Sequence, residues 1–271
     1  AGKQALEAGH THYGPSPGLP EVRDRIAQEV SETRDIKVTK EMVVITPGAK
    51  PIMFFTMLAL INEGDEVLYP NPGFPIYESM INFVGGIPVP MKLLASQNFG
   101  VNVKEVESQI TPKTKLMILN SPNNPCGSII EPEQIEELAN LARGKGIMVL
   151  SDEIYRRFLY EGVHKSISSC TGMIDQTIIL DGFSKTYAMT GWRIGYGVMP
   201  IELVEPISRL STNSVSCTAS FTQIASLEAL SGPQDEPEKI LAEFKKRRDI
   251  IVDGLNSITG IHCPMPKGAF Y

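Results

Sequence analysis

Two kinds of apolar pattern alternate along the chain. Short stretches rich in apolar residues read as strands: Met42 to Thr46, Glu66 to Tyr69, Ile87 to Met91, Lys115 to Asn120, Ile147 to Ser151, Thr177 to Leu180 and Arg193 to Val198. Longer stretches between them carry helical character: Gly48 to Asn62, Pro75 to Phe83, Val103 to Ile110, and Pro132 to Gly144 with its stop at Gly144 and Gly146. Ahead of the first strand, Val22, Ile26 and Val30 recur at four-residue spacing behind Pro20, a residue suited to the first helical position. Ala1 to Gly9 reads as the end of a helix. His10 to Pro20 is a turn-rich stretch, broken by Gly14, Pro15, Pro17 and Gly18. After Met199 the pattern is helical alone, over Glu202 to Leu210, Ala219 to Leu230 and Glu236 to Leu255, with Ser231 to Pro237 the nearest thing to a linker.

Strand–helix alternation of this kind predicts an α/β fold with a mainly parallel seven-stranded sheet sandwiched by helices. Several strands are apolar throughout, as expected where both faces are covered.

Composition narrows the function classes. With 42% hydrophobic and 21% charged residues in 271, the chain has the material for a sizeable core. A net charge of −6 and a pI near 5.4 leave no basic surface for nucleic acid. The longest uncharged apolar run, Pro51 to Asn62, is too short to span a bilayer, and no basic-then-apolar leader opens the sequence, so neither membrane nor export is expected. Cys126, Cys170, Cys217 and Cys263 are widely spread without a C-x-x-C pair. Reduced thiols and a cytoplasmic location are the expectation. His10 and His12 form the one close histidine pair, without Cys or carboxylate partners nearby, and no metal site is expected.

In open α/β sheets ligands sit beyond the carboxyl ends of the strands. The residues there have compatible chemistry. Pro47-Gly48-Ala49-Lys50 is a strand-to-helix turn with free backbone N–H groups, suited to an anion, although it is also a plain βα turn. Asn71-Pro72-Gly73-Phe74-Pro75 offers Phe74 either for stacking on a planar ring or for the core. Asn124 lies in an Asn-Pro turn, 121–127, that could equally be ordinary. Asp152 and Glu153 end a buried strand, where a carboxylate needs compensation; adjacent residues point to opposite sides, so one is expected buried and the other solvated, and a salt bridge is the bland role for Asp152. Tyr155 could bring a phenol to the same place. Lys185 and Arg193 flank one small-residue turn after the sixth strand. A lysine kept neutral in such a pocket can form a Schiff base with a carbonyl, and an arginine beside it can hold a phosphate. One ligand uses all of these groups: pyridoxal phosphate, a pyridinium aldehyde with a phosphate arm.

The stretches Gly18-Leu19-Pro20-Glu21-Val22-Arg23, Asn120-Ser121-Pro122-Asn123-Asn124-Pro125-Cys126-Gly127, Ser151-Asp152-Glu153-Ile154-Tyr155 and Ser184-Lys185-Thr186-Tyr187-Ala188-Met189-Thr190-Gly191-Trp192-Arg193-Ile194-Gly195 resemble the class I/II aminotransferases, pyridoxal-phosphate enzymes of fold type I. The resemblance runs over essentially the whole chain. It implies Lys185 as the Schiff-base lysine and proton shuttle, Asp152 as the partner of the pyridinium nitrogen, and Asn124 and Tyr155 as donors to the ring oxygen. Phe74 would stack, while Gly48, Ala49, Lys50 and Arg193 would surround the phosphate. Tyr13 would reach the phosphate of a neighbouring subunit, implying a homodimer. The implied division is 1–40 as a helical segment, 41–235 as the cofactor-binding large domain, and 236–271 as an interdomain helix leading into a small domain.

The sequence departs from the family pattern in three places. Gly182 stands where a phosphate-binding Ser is common, three residues before the lysine, and Cys126 replaces a more usual Thr. The sequence ends at Tyr271, where the family's small domain opens; the expectation is a fragment or a short member lacking the arginine that binds the substrate carboxylate and the family's N-terminal segment. The expected activity is amino transfer between an amino acid and a 2-oxo acid. The alternatives are a C–S β-lyase, an aminocyclopropane-carboxylate-type synthase, a ligand-sensing module or an inert cofactor-binding fragment.

Overall fold

The computed structural model describes residues 1–271. Its centre is one seven-stranded sheet: β1 (Val43–Thr46), β2 (Glu66–Asn71), β3 (Ile87–Lys92), β4 (Thr114–Asn120), β5 (Met148–Asp152), β6 (Thr177–Gly182) and β7 (Gly195–Val198), in the order β1-β7-β6-β5-β4-β2-β3. Strands β3, β2, β4, β5 and β6 run parallel, whereas β7 is antiparallel to both β6 and β1. The exception has a simple cause. Only Phe183 to Ile194 separates β6 from β7, with no α-helix to make a parallel crossover.

Nine α-helices surround the sheet: α1 (Gly2–Glu7), α2 (Pro20–Arg34), α3 (Lys50–Leu60), α4 (Ile76–Phe83), α5 (Val103–Gln109), α6 (Pro132–Lys145), α7 (Ile201–Val215), α8 (Ser220–Ser231) and α9 (Asp235–Asn256). Each agrees with the sequence pattern to within a few residues. Local chemistry explains the bounds: α2 and α6 begin with Pro at the first helical position, and α6 carries a capping box between Glu131 and Gln134 and stops at left-handed Gly146.

Strand side chains alternate between two buried faces, which is why β4 to β6 look apolar throughout. Leu116, Ile118, Leu150, Ile178 and Leu180 join α3, α4 and α7 in one core. Met117, Leu119 and Val149 join α5 and α6 in a second, and Ile179 joins α2 in a third. The same parity carries on to the polar residues at the strand ends. Asp152, two past Leu150, shares the face of α3 and α4; Ser151 and Asp181 take the other.

The edge strand β1 is covered by the turn-rich segment before α2. The Ile45 N–H donates to Pro17 O at 2.9 Å, and Gly18 follows with φ +109°. A Cβ at Gly18 would lie 2.6 Å from Ile45 Cδ1, so the chain crosses the strand where only glycine fits. Gly18→Ala is expected to destabilise the protein by about 2 kcal/mol or more through strain and overpacking, measured by urea denaturation. A loss within experimental error would mean the crossing is not tight.

Candidate active site

A cavity of about 440 Å³ opens at the carboxyl ends of β4, β5 and β6, lined by residues that include Lys50, Phe74, Asn124, Asp152, Tyr155, Lys185 and Arg193. The strand ends and the turns after them deliver these groups from five separate parts of the chain.

Asp152 is the floor. It is 5% exposed, and its carboxylate accepts the Tyr77 hydroxyl at 2.7 Å and the Ile154 N–H at 3.3 Å. Burial, reinforced by the charges of Asp181 and Glu153, outweighs those hydrogen bonds and raises its pKa to about 6. Its side chain forms no ion pair within the protein, so the bland role of a structural salt bridge is not the one it plays. Asn120, at the end of β4, holds the neighbourhood together: its amide donates to Asp152 O at 3.1 Å and its oxygen accepts the Asn124 N–H at 2.8 Å.

Lys185 Nζ lies 5.6 Å from the centre of the Tyr155 ring and 5.4 Å from that of Phe270. Burial among these rings lowers its pKa, and the nearby charges of Lys50 and Arg193 push the same way against Asp152. A larger share of the amine is therefore neutral and nucleophilic than for a surface lysine.

Another part of the cavity wall is an anion cradle. The first turn of α3 starts at Lys50; Pro51 has no N–H and the Ile52 N–H donates to Ala49 O at 3.1 Å, so it is the positive end of the helix dipole that Ala49 and Lys50 bring to the cavity wall. Arg193 sits beside it in the left-handed region at φ 53°, its guanidinium donating to Thr190 O at 2.8 Å and Pro47 O at 3.1 Å. A Cβ at Gly48 would come within 2.2 Å of Arg193 Nη2, and one at Gly195 within 2.4 Å of the Ala49 nitrogen. Both glycines are what allow the helix terminus and the guanidinium to converge. A third polar group completes the wall: the Asn124 amide donates to the Tyr271 hydroxyl at 3.2 Å, which lies 2.9 Å from the Tyr155 hydroxyl.

The profile of the family described as aminotransferase class I and II matches residues 1–271. The aspartate aminotransferase of Sulfurisphaera tokodaii is 40% identical over 273 residues, covering 100% of this chain and 68% of that protein. Among solved structures, the aromatic aminotransferase of Pyrococcus horikoshii OT3 superposes with a TM-score of 0.96 at 34% identity, covering 99% of this chain and 73% of that one. The alanine aminotransferase of Pyrococcus furiosus gives 0.94 at 35% identity, covering 99% and 69%. The chain belongs to the class I and II aminotransferases. Membership implies pyridoxal phosphate as cofactor and an amino acid and a 2-oxo acid as substrates, and it favours amino transfer over the lyase and synthase alternatives. The aminotransferase spans about 70% of the length of these relatives.

Of the residues singled out in the sequence, Lys185, Asp152, Tyr155, Asn124, Phe74, Ala49, Lys50 and Arg193 line the one cavity, and Gly48 supports it. Tyr13 does not enter it; it is 87% exposed on the surface. The expectation that one of Asp152 and Glu153 is solvated is corrected: both are buried, at 5% and 1% exposure, because Arg34 neutralises Glu153 on the far face of the sheet. Gly182 also has a structural reason. A Cβ there would lie 2.8 Å from Gly195 Cα, so the antiparallel neighbour leaves no room for the serine of the family pattern. Sequence reasoning missed Tyr77, Asn120 and Tyr271. Asn120 was findable, two residues past buried Ile118 on the same face; Tyr77 looked like any aromatic on an apolar helix.

The raised Asp152 pKa carries a sign that can be tested without ligand. A carboxyl with a higher pKa folded than unfolded favours the folded state less once it ionises, so the cofactor-free protein loses stability as pH rises from the ordinary carboxyl value through about 6. Asp152→Asn removes that slope. Its stability relative to the parent is expected to improve by roughly 2 kcal/mol between pH 4 and pH 7.5, read from urea denaturation of both proteins at each pH. A pH-independent difference would refute the assignment.

Proposed function

We propose that the cavity binds pyridoxal phosphate through Lys185 and that the protein transfers an amino group from an amino acid to a 2-oxo acid. The observation that carries this reading is the meeting of a buried carboxyl without an ion pair, Asp152, a neutral-leaning amine, Lys185, and an anion cradle in one cavity. The donor set fits the cofactor at each end: a carboxylate for a protonated ring nitrogen, two hydroxyl or amide donors for the ring oxygen, and a helix terminus with a guanidinium for the phosphate. When bound, the cofactor supplies an aldehyde carbon that combines with amines and a ring that accepts the electron pair left at a substrate α-carbon.

The chain's own residues then divide the work. Asp152 holds the proton at the ring nitrogen, and its burial strengthens that charge-assisted hydrogen bond. Tyr77 and the Ile154 N–H orient the Asp152 carboxylate. Asn124 and Tyr155 bind the ring oxygen, Phe74 covers the ring, and Gly48, Ala49, Lys50 and Arg193 bind the phosphate. Lys185 Nζ would accept the proton lost from the substrate α-carbon, a role its lowered pKa favours.

Tyr13, exposed and outside this cavity, is proposed to reach the phosphate of a second copy, giving a cytoplasmic homodimer with shared sites. Residues 1–40, 41–235 and 236–271 are proposed as the helical segment, the cofactor-binding domain and the approach to a small domain.

Lys185→Ala is expected to abolish amino transfer, a loss of at least about a thousandfold in kcat, together with the visible absorbance of the bound cofactor. Aspartate with a 2-oxo acid acceptor is the pair to assay first, since the Sulfurisphaera tokodaii relative is named for aspartate. Retained transfer in Lys185→Ala, or ammonia release without need of an acceptor in the parent, would sink the proposal.

A further inference from the structure

On the face of the sheet opposite the cavity lies a buried ionic cluster that amino transfer does not use directly. Arg34, the last residue of α2, is enclosed; its Nε donates to Glu153 Oε2 at 3.0 Å and its Nη2 to Asp181 Oδ2 at 2.6 Å. Glu153 also accepts Ser151 at 2.9 Å and Ser166 at 2.5 Å, with His164 Nε2 3.3 Å away. Asp181 accepts Arg156 Nε at 3.1 Å and the Tyr196 hydroxyl at 3.2 Å, while its other oxygen takes the Gly182 N–H at 2.7 Å.

The position of these carboxylates along the chain matters more than their number. Glu153 directly follows Asp152, and Asp181 is the penultimate residue of β6, four residues before Lys185. The backbone ladder between β5 and β6 reaches the Glu153 N–H on Leu180 O, at 2.9 Å, and ends there. Beyond that point Arg34 bridges the two chains. A guanidinium is a planar fork whose donors keep a set spacing, so one Arg touching both carboxylates sets the distance between them. Stability alone is a weak reason for such a cluster, because buried ion groups are often replaceable by apolar ones without loss.

We propose that Arg34 is a positioning residue: by clasping Glu153 and Asp181 it sets the separation of the two strand ends that present Asp152 and Lys185 to the cavity. The proposal rests on the reading that both residues contact one bound pyridoxal phosphate.

Two variants of the full chain, loaded with pyridoxal phosphate, test it. Arg34→Lys keeps the charge and loses the fork. The triple variant Arg34→Met, Glu153→Gln, Asp181→Asn removes the three charges together, and Arg156 keeps Glu29 Oε1 at 2.7 Å, so no buried ion is left unpaired. In both, visible circular dichroism per bound cofactor is expected to fall about twofold or more, and kcat on the order of tenfold or more with KM changed far less, as for a displaced reacting group. The triple variant should nonetheless unfold near the parent's urea midpoint. A merely structural cluster predicts that restoring stability restores the dichroism and kcat; that outcome in the triple variant overturns the proposal. So does an Arg34→Lys protein with the parent's dichroism, which decides the matter alone if the triple variant does not fold. A parent that shows no visible band with pyridoxal phosphate overturns the cofactor reading itself, and the clasp with it, before either variant is compared.

Discussion

The structure depends on how it accommodates two neighbouring carboxylates at the end of its central strand. A buried carboxylate is tolerated only with compensation, and the alternation of a β-strand sends Asp152 and Glu153 to opposite faces. Each face answers differently. Behind the sheet Glu153 is compensated in full: burial alone would raise its pKa, but Arg34, His164 and Ser166 hold it well below the usual carboxylate range. In the cavity Asp152 receives a phenol and one backbone N–H, no cation, and a raised pKa. An uncompensated group facing a cavity is suited to a ligand that brings the missing positive charge.

The rest of the site follows from topology. Parallel strands β4, β5 and β6 end on one side, so Asn124, Asp152 and Lys185 arrive there from separate turns. The single antiparallel strand, β7, has a distinct use. It returns the chain beside β6 after the short connection from Phe183 to Ile194, which brings Arg193 back to the helix terminus at Gly48 and Ala49. The cost is steric: Gly48, Gly182 and Gly195 must all lack side chains where these backbones meet.

Much of the fold was legible because its signals are local. A strand buried on both faces reads as an apolar run, and a helix start shows as Pro20 or as Glu131 with Gln134; neither needs distant contacts to be recognised. The lysine turn was legible for another reason, that Lys185, Thr190 and Arg193 act within one short stretch. The partners that come from far away were not. Tyr77 reaches Asp152 across 75 positions and Arg34 reaches Asp181 across 147, and nothing in the composition around either residue announces its partner.

The sequence by itself therefore determined the element order, the α/β class and the chemical identity of the groups at the strand ends, since these depend on side-chain type and short-range periodicity. Tertiary structure alone decided which of two adjacent carboxylates meets an arginine and which meets the cavity. That choice rests on the parity of β5 and on α2 packing behind the sheet rather than in front of it. It is a matter of which face a residue is on, and a one-residue difference in a strand reverses it.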